Sequence, residues 1–277
     1  MLLNLIYSLS ALFASVLCAL TTGFDTLWVV LVWPLGFVLG FALCAAVCVI
    51  AVWIPARRAD PDAESDGDDP YIRTVVKLYA PAVFRILGCR IHTEGTEKLP
   101  KDGRFLLVCN HMGNLDPGIP LTVFPDAQLG FISKKENRDM PIIGPLMPKI
   151  QCQFLDREND RAALKTILKC ISILKEDKAS IGVFPEGGVI RDGKLLHHFR
   201  PGVFKIAQKA NVPIVVCTIN GTQNMQANAK AGKKTDVHFH LLEVIPAEEL
   251  KGIPTTQIAD RVHAIMAADL GPENVAD

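Results

Sequence analysis

Charge is almost absent from the first 56 residues of this chain, where Asp25 is the only charged side chain. Over all 277 residues, 29 basic and 29 acidic side chains balance, so the composition gives no support for nucleic acid as a partner. The eight cysteines show neither CxxC nor zinc-type spacing, and no internal repeat is visible. These absences argue against a basic nucleic-acid-binding module and a zinc module, and they leave an apolar segment followed by a charged remainder.

Two apolar runs fill the uncharged segment, at residues 1–20 and 27–54. A membrane-spanning helix needs about 20 mainly apolar residues, and the second run exceeds this length. The first run lacks the basic start and the small-residue cleavage site of a signal peptide, so a retained helix is favoured over a cleaved leader. We therefore expect residues 1–56 to be a membrane anchor made of two transmembrane helices.

The orientation of this anchor follows from the basic residues that flank it. Arg57 and Arg58 come directly after the second run, whereas the connecting segment at residues 21–26 holds no Lys or Arg. Because an excess of Lys and Arg marks the cytoplasmic side, we expect residues 57–277 in the cytoplasm. Scattered free cysteines are consistent with a reducing compartment.

Two short regions connect the anchor to the rest of the chain. Residues 57–69 are interpreted as an acidic linker, since six acids crowd into residues 59–69. Residues 70–88 form an amphipathic pattern with interleaved basic residues, in which Pro81 predicts a kink or a break. This helix is either an interfacial one in the headgroup plane or the first helix of the following domain, and one helix with two faces satisfies both interpretations.

Beyond residue 89, segments typical of strands alternate with segments typical of helices. This alternation predicts an α/β domain with a mostly parallel central sheet flanked by helices over residues 89–277. The last helix is expected to begin with a threonine cap and to stop at Gly271. The predicted strands are 105–110, 130–134, 180–185, 212–219 and 237–245, and the predicted helices are 160–176, 200–211 and 254–272.

One candidate catalytic pair is His111 with Asp116, in the stretch VCNHMGNLDPGIP. His111 leaves the end of a predicted strand, where α/β domains place their sites. A neutral histidine suits a general base near neutral pH, and a carboxylate on its other ring nitrogen fixes the tautomer. The alternative is a turn that holds a His and an Asp by chance. Cys109 lies within the apolar run and is interpreted as a small buried hydrophobe rather than a nucleophile, so this pair would deprotonate a substrate hydroxyl.

Two further stretches carry candidate anion ligands. The sequence GVFPEGGVIRDGKL, residues 182–195, leads a strand into a glycine-rich turn beside Arg191 and Lys194. Glycines let backbone N–H groups approach an anion, whereas Glu186 is expected to hold the loop or a basic residue in place. Residues 133–157 add basic side chains, although such residues are more often simply solvated. These additional candidates are Lys134, Lys135 and Arg157.

The order of four motifs over roughly residues 72–245 resembles the glycerolipid acyltransferase family. The motifs are NHxxxxD at 110–116, KKE with a trailing DR between 134 and 157, FPEG at 184–187 and VPIV at 212–215. The family's best-known members are the 1-acylglycerol-3-phosphate acyltransferases. The resemblance implies that His111 and Asp116 form the catalytic dyad. It also implies substrate-binding roles for Lys135, Arg157, Glu186, Gly187, Gly188 and Arg191.

The chain departs from the family pattern in the third motif, which usually reads FPEGTRS. Here Gly188, Val189 and Ile190 replace the Thr-Arg-Ser, and Arg191 lies two residues beyond the usual arginine. Either a shifted loop lets Arg191 take that arginine's place, or the acceptor headgroup differs.

The expected activity is transfer of a fatty acyl group to 1-acylglycerol-3-phosphate, giving phosphatidic acid. The expected partners are a lipid bilayer, a lysophospholipid acceptor, and acyl carrier protein or coenzyme A as the thioester carrier, with no nucleic acid. No cofactor and no metal are expected. The alternatives are another acceptor, such as glycerol-3-phosphate or a different lysophospholipid, a non-catalytic lipid-binding protein, and a metal-dependent hydrolase that uses the same His and Asp.

Overall fold

The computed structural model describes residues 1–22, 26–60 and 67–276. The chain divides into two units, Met1–Asp60 and Pro61–Asp277, which are described separately. The middle of the predicted acidic linker, residues 61–66, lies outside the described residues.

The first unit consists of two long helices, α1 (Leu2–Thr22) and α2 (Thr26–Arg58). By length and composition, both are apolar enough to cross a membrane, and most of their side chains are not covered by other parts of the protein. Pro34 and Pro55 lie within α2 without interrupting it. Large exposed apolar surfaces of this kind mark a membrane or an interaction site, which agrees with the predicted hairpin.

Small residues bring α1 and α2 close together. A methyl group built on Gly36 would lie 3.1 Å from Ala14 Cα, and one built on Gly40 would lie 3.1 Å from Ser10 Cα. Ser10 and Ala14 are both fully buried, and the Ser10 hydroxyl donates to the Ile6 carbonyl at 2.7 Å. Backbone contact through Gly, Ala and Ser is typical of helices that pair within a bilayer.

The second unit begins with α3 (Pro70–Ile86), whose start is fixed by two acids of the predicted linker. Asp69 caps the helix by accepting from the backbone N–H groups of Tyr71 and Ile72. Asp68 binds the buried Arg73 guanidinium at 2.7 Å. These two acids are therefore structural, and the prediction of a solvated linker was wrong for them.

The helix α3 packs against the domain and runs through Pro81 without the predicted break. Phe84 is buried and lies over Gly118, where any side chain would collide with its ring at 2.9 Å. Val83 and Ile86 remain exposed. The helix thus belongs to the domain core, and its additional role at the headgroup plane stays a prediction.

Seven strands form one sheet in the described part of the domain, in the order β1-β7-β6-β2-β5-β3-β4. The five strands from β6 to β4 in this order are mutually parallel, while β7 is antiparallel to β6 and parallel to β1. The predicted mostly parallel α/β sheet is therefore confirmed. The strands are β1 (Cys89–Glu94), β2 (Leu106–Cys109), β3 (Leu129–Lys134), β4 (Gln153–Leu155), β5 (Ser180–Val183), β6 (Ile214–Asn220) and β7 (Thr235–Ile245).

Helices cover this sheet and pack on its apolar residues. The sequence pattern did not reveal β1 or β4, and the helix predicted at 200–211 begins with a 3₁₀ turn. The expected threonine cap was wrong, since Pro254 occupies the cap position and Thr255 is already helical. The remaining helices are α4 (Gly118–Val123), α5 (Ile143–Leu146), α6 (Asp160–Lys175), α7 (Lys205–Ala210), α8 (Met225–Lys230) and α9 (Thr255–Leu270).

The central strands β2 and β5 are buried along their whole length, as expected of strands covered on both faces. They are hydrogen-bonded neighbours that run in the same direction. Their carboxyl ends therefore lie at one edge of the sheet, where Asn110 and His111 follow β2 and Phe184 follows β5. This edge brings the first and third sequence motifs together.

Candidate active site

The predicted dyad is formed at this edge. His111 Nδ1 lies 3.0 Å from Asp116 Oδ2. The Asp116 side chain is 0% exposed and the His111 side chain is 16% exposed, so the carboxylate is sealed behind a ring that reaches the surface. Because Nδ1 faces the carboxylate, the ring carries its proton there and leaves Nε2 as the basic nitrogen.

Backbone donors hold the Asp116 carboxylate. The N–H of Met112 donates to Oδ2 at 2.6 Å, and the N–H of Gly113 donates to the same oxygen at 2.7 Å. Hydrogen bonds from these two N–H groups fix the orientation of the carboxylate. The short turn between His111 and Asp116 therefore fixes an anion where it can stabilise an imidazolium.

The His111 ring rests on aromatic side chains. It stacks on Phe184 with ring centroids 4.2 Å apart, and Phe184 stacks in turn on Phe131 at 5.7 Å. Among the described residues, none pairs with His111 Nε2. The imidazole is thus supported on one face and oriented through Nδ1, with Nε2 free to accept a proton from a substrate.

Asn110 ties the end of β2 to its neighbours. Its amide nitrogen donates to the carbonyl oxygens of Leu195 and Ile219, each at 2.9 Å, and its oxygen accepts from the N–H of Ile219 at 2.7 Å. The side chain is fully buried. Asn110, which directly precedes His111, therefore fastens the end of β2 to both β6 and the loop that follows β5.

Glu186 connects the third motif to the dyad. Its Oε1 accepts from the backbone N–H of His111 at 3.1 Å, and its Oε2 lies 3.2 Å from His197 Nδ1. Burial raises the pKa of the Glu186 carboxyl to about 8, with further raising by the charges of Asp116 and Asp192. These contacts are compatible with the expected loop-holding role of Glu186, and its substrate-binding role stays a prediction.

Three cationic side chains surround the glycine turn after Glu186. A methyl group built on Gly188 would lie 3.7 Å from both Arg157 Nη1 and Lys134 Nζ, and one built on Gly187 would lie 2.7 Å from Arg200 Nε. Gly187 has φ +85°, which also favours glycine. None of the three cations forms an ion pair or side-chain hydrogen bond with the described residues. Burial, followed by the charge of Arg200, lowers the pKa of Arg157.

The structure thus groups some of the predicted ligands and separates others. Arg157, Gly187 and Gly188 lie together at the turn. Lys135 instead points to Asp156, with a 2.8 Å ion pair that raises the pKa of the lysine, and Lys134 is the lysine at Gly188. Arg191 is exposed and pairs with no described side chain, so its role stays a prediction.

Two residues of the site were missed from the sequence. The sequence placed Arg200 only at the start of the predicted helix 200–211, yet its backbone N–H donates to the Pro185 carbonyl at 2.8 Å and its side chain lies beside Gly187. His197 lies in a loop, 11 residues from its partner Glu186, and no periodic pattern relates them. Among the described residues, no group of three or more His, Cys, Asp or Glu side chains is arranged to hold a metal ion.

Comparison with known proteins gives a consistent assignment. A family model described as Acyltransferase matches residues 90–220. The probable 1-acyl-sn-glycerol-3-phosphate acyltransferase of Mycoplasma pneumoniae is 30% identical over 193 residues, which are 68% of this chain and 71% of that protein. The 1-acyl-sn-glycerol-3-phosphate acyltransferase of Saccharomyces cerevisiae is 29% identical over 188 residues, which are 67% of this chain and 61% of that protein.

A solved structure shows the same fold. The crystal structure of the 1-acyl-sn-glycerophosphate (LPA) acyltransferase PlsC from Thermotoga maritima superposes with a TM-score of 0.58 at 25% identity, covering 73% of this chain and 81% of that one. The segment matched by the family model, residues 90–220, contains the dyad, the glycine turn and the strands that precede them. The resemblance noted in the motifs is thereby confirmed: the chain belongs to the glycerolipid acyltransferase family and is an O-acyltransferase.

Proposed function

We propose that this enzyme transfers a fatty acyl group from an acyl thioester to the free hydroxyl of 1-acylglycerol-3-phosphate, giving phosphatidic acid. The names of the relatives from Mycoplasma pneumoniae and Saccharomyces cerevisiae, both 1-acyl-sn-glycerol-3-phosphate acyltransferases, support this acceptor. The proposed carrier of the acyl group is coenzyme A or acyl carrier protein.

The dyad accounts for the chemistry. His111 Nε2 removes the proton of the acceptor hydroxyl while the oxygen attacks the thioester carbonyl. The C–O bond forms, the C–S bond breaks, and the proton passes from the imidazolium to the departing thiolate. Asp116, 3.0 Å from Nδ1, stabilises the imidazolium between these steps. General base catalysis of this kind contributes about 10²–10⁴-fold.

The cations at the glycine turn provide a binding site for the phosphate of the acceptor. Lys134, Arg157 and Arg200 converge on Gly187 and Gly188 without carboxylate partners among the described residues. Guanidinium and ammonium groups without carboxylate partners are well suited to bind a phosphate monoester. Arg200 in this arrangement supplies a positive charge that the altered third motif lacks.

The single observation that carries the proposal is the link between these two parts. Glu186 accepts from the His111 backbone at 3.1 Å and is followed directly by the glycines of the cationic turn. An acceptor whose phosphate sits at the turn therefore presents its glycerol hydroxyls near His111. Both groups lie at the carboxyl edge of the parallel strands, where α/β sheets bind ligands.

The proposal includes a place in the cell. The apolar helices α1 and α2 anchor the enzyme in a bilayer that also holds the amphiphilic acceptor and product. Arg57 and Arg58, at the end of α2, support a cytoplasmic position for the domain.

A transfer assay with the purified full chain in lipid vesicles tests the function. Labelled acyl-coenzyme A and acyl-acyl carrier protein are each offered with 1-acylglycerol-3-phosphate, glycerol-3-phosphate or a lysophospholipid with a larger headgroup. The expected result is labelled phosphatidic acid from the first acceptor, abolished by His111→Ala and retained by His240→Ala. Preference for another acceptor would overturn the proposed substrate, and full activity of His111→Ala would overturn the mechanism.

A further inference from the structure

His197 is a buried histidine near the dyad that the acyl-transfer mechanism does not use. It lies in the loop between β5 and α7, and only 5% of the residue is exposed. Burying an imidazole without hydrogen-bond partners is costly, so its contacts show what it is placed to do.

Both ring nitrogens of His197 face carboxylates. Nδ1 lies 3.2 Å from Glu186 Oε2, and Nε2 lies 3.1 Å from each oxygen of Asp192. A neutral imidazole has one N–H and donates to one partner, whereas an imidazolium donates to both. The ring therefore holds the Glu186 carboxyl at one end and the exposed loop at the other.

The other oxygen of Glu186 reaches the dyad. Oε1 accepts from the His111 backbone N–H at 3.1 Å, so a chain of two hydrogen bonds runs from the His197 ring to the backbone of the candidate base. Among the described residues, the ring nitrogens of His197 are hydrogen-bonded to Glu186 and Asp192 and not to the dyad or the glycines of the turn. Any effect it has on transfer is exerted through Glu186.

The backbone next to His197 is held by residues 274–275. Leu196 forms a parallel bridge with Val275, and the N–H groups of Leu195 and Leu196 both donate to the Asn274 carbonyl. Leu195 also offers its carbonyl to Asn110, the residue before His111. The ring of His197 is thus carried on a rigid segment, as a positioning group must be.

We propose that His197 is a positioning residue for acyl transfer, which holds Glu186 so that the His111 backbone and the glycine turn keep their spacing. This inference rests on the proposed function of the dyad. The bond that matters is Nδ1 to Glu186, and the bond from Nε2 to Asp192 only steadies the ring. In this chain, His197 thereby provides part of the loop support in a third motif that lacks Thr-Arg-Ser.

Two near-isosteric substitutions separate the two bonds. In His197→Asn the side-chain amide takes the place of Nδ1 and can still form a hydrogen bond with Glu186. In His197→Gln the amide nitrogen takes the place of Nε2 and reaches only Asp192. His197→Ala removes both bonds, and His198→Ala changes the exposed neighbouring histidine as a matched control.

The experiment measures kcat and KM of these variants with the full chain in vesicles, alongside the thermal unfolding of each. His197→Ala and His197→Gln are expected to lower kcat about 10–100-fold, the cost of a small displacement of a catalytic group, with an unchanged KM for the acyl thioester. His197→Asn is expected to recover most of kcat, and His198→Ala to match the wild type. Equal recovery by Asn and Gln, or a wild-type kcat in His197→Ala, would overturn the inference.

His111→Ala is assayed beside these variants to keep the two proposals apart. Loss of transfer in His111→Ala with a wild-type kcat in His197→Ala overturns only the positioning role. Retention of transfer by both variants overturns the proposed function as well. A fall in kcat that follows the unfolding temperature across all His197 variants, Asn included, assigns a purely structural role to His197 and also overturns the inference.

Discussion

Two histidine–aspartate pairs lie in this domain with the same separation and opposite surroundings. His111 Nδ1 lies 3.0 Å from Asp116, and His240 Nδ1 lies 3.0 Å from Asp269. The first pair stands at the carboxyl edge of β2, whereas the second joins the antiparallel strand β7 to α9. Separation and residue type alone therefore do not distinguish a catalytic pair from a structural one.

The surroundings do distinguish them. Asp116 is 0% exposed and receives two backbone N–H groups, while Asp269 is 22% exposed and receives the Thr218 hydroxyl. His240 also has Glu94 4.0 Å from its other nitrogen, whereas among the described residues nothing pairs with His111 Nε2. We therefore expect the first pair, with a buried carboxylate and an unpaired Nε2, to supply a base, and the second pair, which is partly exposed and lies beside Glu94, to be a surface contact.

The largest expected effect tests this contrast directly. His111→Ala removes the base and should lower kcat about 10²–10⁴-fold, whereas His240→Ala removes a pair of the same length and should leave kcat at the wild-type value. Steady-state transfer rates of the two purified variants are the measurement. Similar losses in both would mean that the environment of the pair does not decide its role.

The second effect concerns the carboxylate of each pair. Asp116→Asn replaces a carboxylate oxygen that accepts two backbone N–H groups and faces His111 Nδ1. The amide is expected to misorient His111 and to lower kcat about 10–100-fold. Asp269→Asn is the matched change at the exposed pair and should leave kcat unaltered. The same assay measures both, and an Asp116→Asn enzyme with full kcat would contradict the assigned role of Asp116.

The third effect compares cations at the turn with cations elsewhere. Arg200→Gln and Arg157→Gln would each remove a charge-assisted bond to the acceptor phosphate in the proposed complex, and should raise the acceptor KM about tenfold or more. Lys135→Gln breaks only the ion pair with Asp156 and should leave KM near the wild-type value. KM is measured by titrating the acceptor against each variant. A larger KM change for Lys135→Gln than for the arginine variants would return the phosphate-binding role to Lys135, as the family resemblance implies.

The smallest effect is on stability. Burial raises the pKa of Glu186 to about 8 in the folded protein, above its ordinary value in the unfolded chain. The folded state therefore keeps a proton that the unfolded state has released, and this group makes stability fall as the pH rises from about 4.5 towards 8.

Glu186→Gln removes this titration and can still accept from the His111 backbone. The variant should lose less stability than the wild type over that pH range, so the difference in Tm between them should grow towards pH 8. Thermal unfolding of both proteins in one detergent at several pH values checks this. A Tm difference that does not change with pH would show that Glu186 does not titrate there.

Much of the site could be predicted because it is local. The dyad residues are five positions apart in one Gly/Pro-rich turn, and the strands before His111 and Glu186 are continuous apolar runs. Local sequence could not choose between Lys134 and Lys135, since the turn after β3 decides which side chain reaches Gly188. It also missed Arg200 and His197, whose partners are distant in sequence and meet only when a long loop closes.

The sequence by itself determined the apolar anchor, the alternating strands and helices, and the family motifs with their His and Asp, because these depend on composition, periodicity and short spacing. Only the tertiary structure decided that β7 runs against β6, that Asp68 and Asp69 belong to the domain, and that Glu186 joins His111 to His197. The physical reason is that these contacts join segments far apart in sequence, so their partners are set by how the sheet and its loops pack.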